Sequence, residues 1–222
     1  MVRHKAREIT RREALPAIGA LFTGAGLLGA CGGPQKPMGS TRELRTFSLS
    51  QLERNKNYIV LIDAFDGVKE LSRAIGLEGK YGHIEVVRDG KVYGCRPFTC
   101  SKTTVSDMED MFEGFKFEVR EIPIDGSPER AVQWFLDNLE GESYDFLYRN
   151  CTDAVRGMYE NSGSRERLLY PVDVDETYEN NAKLRRIMKE HGIEKPDRKD
   201  GVLFPDHFLE VGTLVGKGRF GK

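Results

Sequence analysis

Asn150-Cys151-Thr152-Asp153 carries the chemistry of a helix start. An Asn at the N-cap accepts from the first free backbone N–H groups, and an Asp at the third helical position favours the positive end of the dipole. Ala154, Val155, Met158 and Tyr159 supply an apolar face behind it, and Gly163 offers a stop. Cys151 is then the first helical residue. Unpaired N–H groups and the dipole at that position stabilise a thiolate, the form of cysteine that attacks a carbonyl carbon. The spacing therefore predicts a helix opening on a nucleophile, and the rest of the chain has to supply a base and a sheet to hold it.

The base expected is His83, in Tyr81-Gly82-His83-Ile84-Glu85-Val86-Val87. Tyr81 to Val87 and Lys91 to Phe98 read as two strands joined at Arg88-Asp89-Gly90, since Asp-Gly is a strong hairpin signal. The period of two puts His83, Glu85 and Val87 on one face and Ile84 and Val86 on the other. Gly82 permits close approach to the ring, and a strand fixes the ring rigidly, which suits a general base. The competing histidines have other uses. His4 belongs to the leader, His191 caps the end of a helix, and His207 follows Pro205-Asp206 at a surface or packing position.

Around this pair the chain is an α+β pattern. Asn57 to Asp63 is a short apolar run that reads as a buried strand, and Phe65 to Ile75 reads as a helix. Ser101 to Gly114 is expected to be a polar loop with an acidic turn of helix. Phe115, Phe117 and Val119 alternate with Lys116, Glu118 and Arg120, as in a half-buried strand running to Ile124. Ser127-Pro128-Glu129 starts a helix with its stripe at Ala131, Val132, Phe135, Leu136 and Leu139. A further helix is predicted from Glu176 to His191. Val202 to Leu209 packs on the domain, and Lys217 to Lys222 is expected to fray.

The N-terminus reads as a targeting segment. Thr10-Arg11-Arg12-Glu13-Ala14-Leu15 resembles a twin-arginine export signal, and Leu28-Gly29-Ala30-Cys31 resembles a lipobox, which implies cleavage before Cys31 and lipidation of its thiol. The alternative is an uncleaved membrane anchor. Pro16 and the interrupting glycines argue against a spanning helix. Residues 1–30 are thus the signal, 31–50 a lipidated Gly/Pro/Ser-rich tether, and 51–222 the domain. Without the leader, 29 basic residues face 33 acidic ones, a net charge near −4, and nothing there suggests a nucleic-acid surface, which would want clustered Lys/Arg. With Cys31 lipidated, Cys95, Cys100 and Cys151 remain. Cys95 and Cys100 are close enough to bridge across a turn, or they are two small buried or exposed thiols.

Gly82-His83 opening a hairpin strand, followed by Tyr144 and by Asn150-Cys151 opening a helix, resembles the circularly permuted branch of the NlpC-like, papain-like cysteine hydrolases. Lecithin:retinol acyltransferase and a set of bacterial lipoprotein hydrolases are similar to that branch. The resemblance covers roughly residues 51 to 165. It implies an antiparallel sheet packed against helices at 128–140 and 151–162. It also implies Cys151 as nucleophile and His83 as base, with the Cys151 N–H and the Tyr144 hydroxyl holding the oxyanion. The family's third residue follows on the next strand, but Val92-Tyr93-Gly94-Cys95-Arg96 contains no Glu, Gln, Asn or His. Glu85 on His83's own face, Tyr93 and Cys95 are the substitutes on offer. The implied substrate is a cell-wall peptide link or a lipid acyl group. No cofactor or metal is called for, the lipid on Cys31 ties the chain to a membrane, and the oligomeric state is open. Three other readings stand beside this one: a zinc site of His83, Cys95, Cys100 and Cys151; a non-catalytic lipoprotein binding a peptide or lipid; and a thiol-redox role for Cys151.

Overall fold

The computed structural model of the chain describes residues 47–123, 126–145, 149–164, 174–190, 192 and 201–221. The signal, the lipobox with Cys31, most of the tether and His191 lie outside them. No described helix is long and apolar enough to cross a membrane. The described core reaches back past residue 51, because Leu49 is buried in it and Phe47 packs against it.

The fold is α+β. A six-stranded antiparallel sheet runs in the order β4-β3-β2-β1-β5-β6. Its strands are β1 (Asn57–Ile62), β2 (His83–Arg88), β3 (Lys91–Arg96), β4 (Thr99–Thr104), β5 (Lys116–Glu121) and β6 (Thr213–Arg219). The helices are α1 (Asp66–Ala74), α2 (Val105–Met111), α3 (Pro128–Asn138), α4 (Cys151–Asn161), α5 (Val174–Asn180) and α6 (Ala182–Glu190). The β2–β3 turn is made as the dipeptide demands: Asp89 and Gly90 both take positive φ, 49° and 72°, the combination that matches strand twist.

Both faces of the central strands are covered, so β1 and β2 are buried along nearly their whole length. On one face Ile59, Leu61, Ile84, Val86 and Tyr93 meet Phe135 of α3 and Ala154, Val155 and Met158 of α4, with Leu203 and Phe208 closing the layer. On the other, Tyr58, Val60, Ile62, Val87 and Val92 meet Met108, Phe112 and Phe220. A third cluster joins Val68 and Leu71 of α1 to Leu184, Ile187 and Met188 of α6.

Four sequence expectations are corrected. The polar loop expected from Ser101 opens instead with the end of strand β4, while the expected acidic turn of helix is α2, which Thr104 and Asp107 start with a reciprocal capping box. β5 is not half-buried in the expected sense: Phe115 is exposed while Glu118 is buried. The predicted 176–191 helix is two, because the Asn181 side chain accepts from the Leu184 N–H and restarts the helix. The C-terminus does not fray at Lys217. It forms β6 on β5, with Phe220 buried against Phe117 at 4.5 Å between ring centroids.

Phe135 is fully buried and meets Tyr93 edge-to-face at 5.6 Å, which ties α3 to the sheet. Phe135→Ala is expected to cost about 3–5 kcal/mol of unfolding free energy in urea titration. A loss below about 1 kcal/mol would mean that α3 does not depend on this contact.

Candidate active site

α4 starts as its sequence dictates. The Asn150 side chain accepts from the Thr152 and Asp153 N–H groups at 2.9 and 3.0 Å, and the Asp153 carboxylate accepts from the Asn150 N–H. The Thr152 hydroxyl donates to the Leu203 carbonyl at 2.9 Å, tying the helix start to the C-terminal segment. Cys151 is therefore held at the first helical position, 4% exposed. Among the described cysteines it is the one left free.

His83 begins β2, and the geometry around it is tight on every side. The Gly82 N–H donates to the Ile62 carbonyl. A Cβ on Gly82 would stand 1.9 Å from the Ala64 carbonyl oxygen and 2.5 Å from that of Phe65. The room glycine leaves is thus taken by the β1–α1 turn rather than by the imidazole. Phe65 pays for that turn with a φ of +58°, strained for a bulky residue, and its ring stands edge-on to His83 at 5.3 Å. Phe112 packs beside it, 5.2 Å from the imidazole and 6.3 Å from the Phe65 ring.

The imidazole has two polar neighbours. Its Nε2 lies 2.8 Å from Glu85 Oε1, and the Cys151 thiol is the other polar group that acts on the ring. Burial alone would lower the His83 pKa. The charge of and hydrogen bond to Cys151, followed by those of Glu85, overcome it and raise the value to about 9. The meeting takes place at an opening in the sheet. The β2–β3 ladder begins only at Val86↔Tyr93, so His83, Ile84 and Glu85 lie beyond it.

Glu85 is fully buried. Besides His83, it meets Arg96, whose Nε lies 2.8 Å from Oε1 and whose Nη2 donates to Oε2 at 2.9 Å. A Cβ on Gly94 would stand 1.9 Å from Glu85 Oε2, so glycine at that position makes room for the carboxylate. Tyr93 and Cys95 face the opposite layer and do not orient the ring. Neither Gly94 nor Arg96 was singled out from sequence. The available signal was period two, which puts both on the Glu85 face, with a glycine in mid-strand marking a close approach.

Tyr144 packs on the same core layer as Cys151. Burial, then the charges of Cys151, Asp153 and Asp145, push its phenol well above the ordinary range, so it is a proton donor at neutral pH. The expected site residues Cys151, His83, Glu85 and Tyr144 therefore come together. A disulfide joins Cys95 to Cys100 across the β3–β4 hairpin. That bond removes two of the four ligands of the zinc reading, and no His/Cys/Asp/Glu group suited to a metal occurs among the described residues. His207 is not a base at this site. Its Nδ1 accepts from the Phe204 N–H at 2.9 Å, closing the turn before Pro205, and burial lowers its pKa.

No family model, curated protein or solved structure matches the chain. The functional reading rests on the geometry of these side chains.

His83 has its folded pKa, about 9, above the unfolded value of 6.5. Its contribution to stability is therefore fully present below pH 6.5 and is lost as pH rises through about 9. Urea unfolding across this window should show a fall on the order of 3 kcal/mol that His83→Gln flattens. An unchanged slope in the variant would contradict the assigned partners.

Proposed function

We propose that this chain is a cysteine hydrolase of permuted papain-like architecture, exported as a lipoprotein, that cleaves an amide or ester bond through an acyl-enzyme. The observation that carries the reading is the Cys151 thiol at a helix N-terminus, close enough to the buried His83 imidazole to raise its pKa, with Nε2 of that ring held by a carboxylate. Nucleophile, base and orienting group stand in the order that nucleophilic catalysis needs.

In this reading the Cys151 proton already rests on His83, whose raised pKa keeps the ring protonated at neutral pH, and the thiolate sulfur bonds to the acyl carbon. The carbonyl π electrons move onto oxygen, where the Cys151 N–H and the Tyr144 hydroxyl donate. When the tetrahedral species collapses, the C–N or C–O bond breaks and the imidazolium returns its proton to the leaving amine or alcohol. Water, deprotonated by His83, then attacks the thioester and releases the acid and the free thiol. Glu85 keeps the imidazole oriented and compensates its charge while it is protonated. The substrate is a cell-wall peptide link or a lipid acyl group, and Cys31, when lipidated, keeps the domain at a membrane.

The test is incubation of the folded domain with an activated aryl ester, followed by intact-mass measurement. One acyl group should appear on Cys151, and His83→Ala should slow its formation by about a hundredfold or more. Absence of any adduct on Cys151 in the folded protein would favour the non-catalytic binding reading instead.

A further inference from the structure

Arg96 is a cation with 4% of its surface exposed, so its position requires an explanation beyond solubility. Its guanidinium faces Glu85 through Nε and Nη2, and its Nη1 donates to the Ser101 carbonyl at 3.1 Å and the Ser101 hydroxyl at 2.9 Å. Both anchors belong to the β3–β4 hairpin that the Cys95–Cys100 disulfide closes: Arg96 follows one bridged cysteine and Ser101 follows the other. Arg96 is thus clamped by its own hairpin before it meets β2.

We propose that Arg96 is a positioning residue for the Cys151–His83 pair, acting through Glu85. The proposal rests on the catalytic reading of that pair. A fully buried carboxylate without a counter-charge takes up a proton, because burial penalises its ionised form. A neutral Glu85 no longer compensates an imidazolium. With Arg96 present, the line from thiol to guanidinium alternates in sign once the proton has moved: thiolate, imidazolium, carboxylate, guanidinium. Without it, the same proton transfer leaves a net buried negative charge. The hydrogen bond from Arg96 Nη2 to Oε2 also limits how the carboxylate can turn, and hence which oxygen points at Nε2. Stability alone would not require this pair, since an apolar replacement of both partners is often neutral or better.

The titratable and charged groups at the imidazole are Cys151 from α4, Glu85 from β2 and, behind Glu85, Arg96 from β3; Phe65 and Phe112 contribute only rings. This makes the sign of the effect diagnostic. A guanidinium acting only as a nearby cation repels the imidazolium, so its removal would raise the His83 titration midpoint. A guanidinium that keeps Glu85 ionised has the opposite effect.

The experiment is an NMR titration of the His83 ring in the whole domain, in wild type, Arg96→Met, Arg96→Lys, Glu85→Gln and the double variant Glu85→Gln/Arg96→Met. Arg96→Met should lower the midpoint by about one pH unit or more, with Arg96→Lys in between. The double variant, which leaves no unpaired buried charge, should match Glu85→Gln alone. A raised or unchanged midpoint in Arg96→Met would overturn the proposal, as would a further fall in the double variant beyond Glu85→Gln. If Arg96→Met does not fold, the double variant and Arg96→Lys still decide the question. Wild-type acylation of Cys151, measured in parallel, separates the two readings: its absence counts against the hydrolase, whereas the ring midpoints judge Arg96.

Discussion

A carboxylate with no exposed surface, Glu85, stands between the imidazole of His83 and the guanidinium of Arg96. Placing an ion there is costly, and the surrounding structure is arranged to offset that cost. Gly94 supplies the volume, Arg96 the counter-charge, and the Cys95–Cys100 hairpin holds the arginine in place. The β2–β3 ladder begins only past these residues, at Val86, so the start of β2 is held from its β3 side by the ion pair rather than by a ladder. Breaking this pair would leave an uncompensated charge in the middle of a sheet, where the penalty is several kcal/mol.

The sheet makes the arrangement rigid by burying β2 on both sides. One layer belongs to α3 and α4 and brings the thiol; the other contributes the rings of Phe65 and Phe112 that pack against the imidazole. A second buried carboxylate, Glu118, shows the same device used away from the thiol. Burial would raise its pKa, but hydrogen bonds from Lys217 and Arg120, together with the charges of Lys217 and Lys80, lower it to about 2. Lys217 sits on β6, so this ion pair also fastens the edge strand that the sequence reading left loose.

Local chemistry was legible from the sequence wherever one short segment decides its own structure. The Asn150 cap, the Asp89-Gly90 turn and the Ser127-Pro128 helix start are each set by residues within a few positions of one another. What was not legible depends on partners far along the chain. β4 is polar and only partly buried, so it shows no hydrophobic period, and it is a strand because β3 pairs with it. β6 is broken by glycines, which leave room for Phe47 and Phe117. The family resemblance puts the orienting group on β3, where none stands; Glu85 on β2, the substitute offered from the sequence, is the one against the ring, and β3 supplies its counter-charge. Glu85 reaches the ring although residues two apart on a strand run side by side, because Arg96 and the Gly94 gap fix where its carboxylate lies.

The central claim is that the contact with His83 makes Cys151 a nucleophile. The rate of iodoacetamide alkylation of Cys151 in the folded protein at neutral pH, compared with that in folded His83→Ala, tests it most directly. The account predicts a fall of at least about tenfold on removing the imidazole. Equal rates in the two proteins would contradict it.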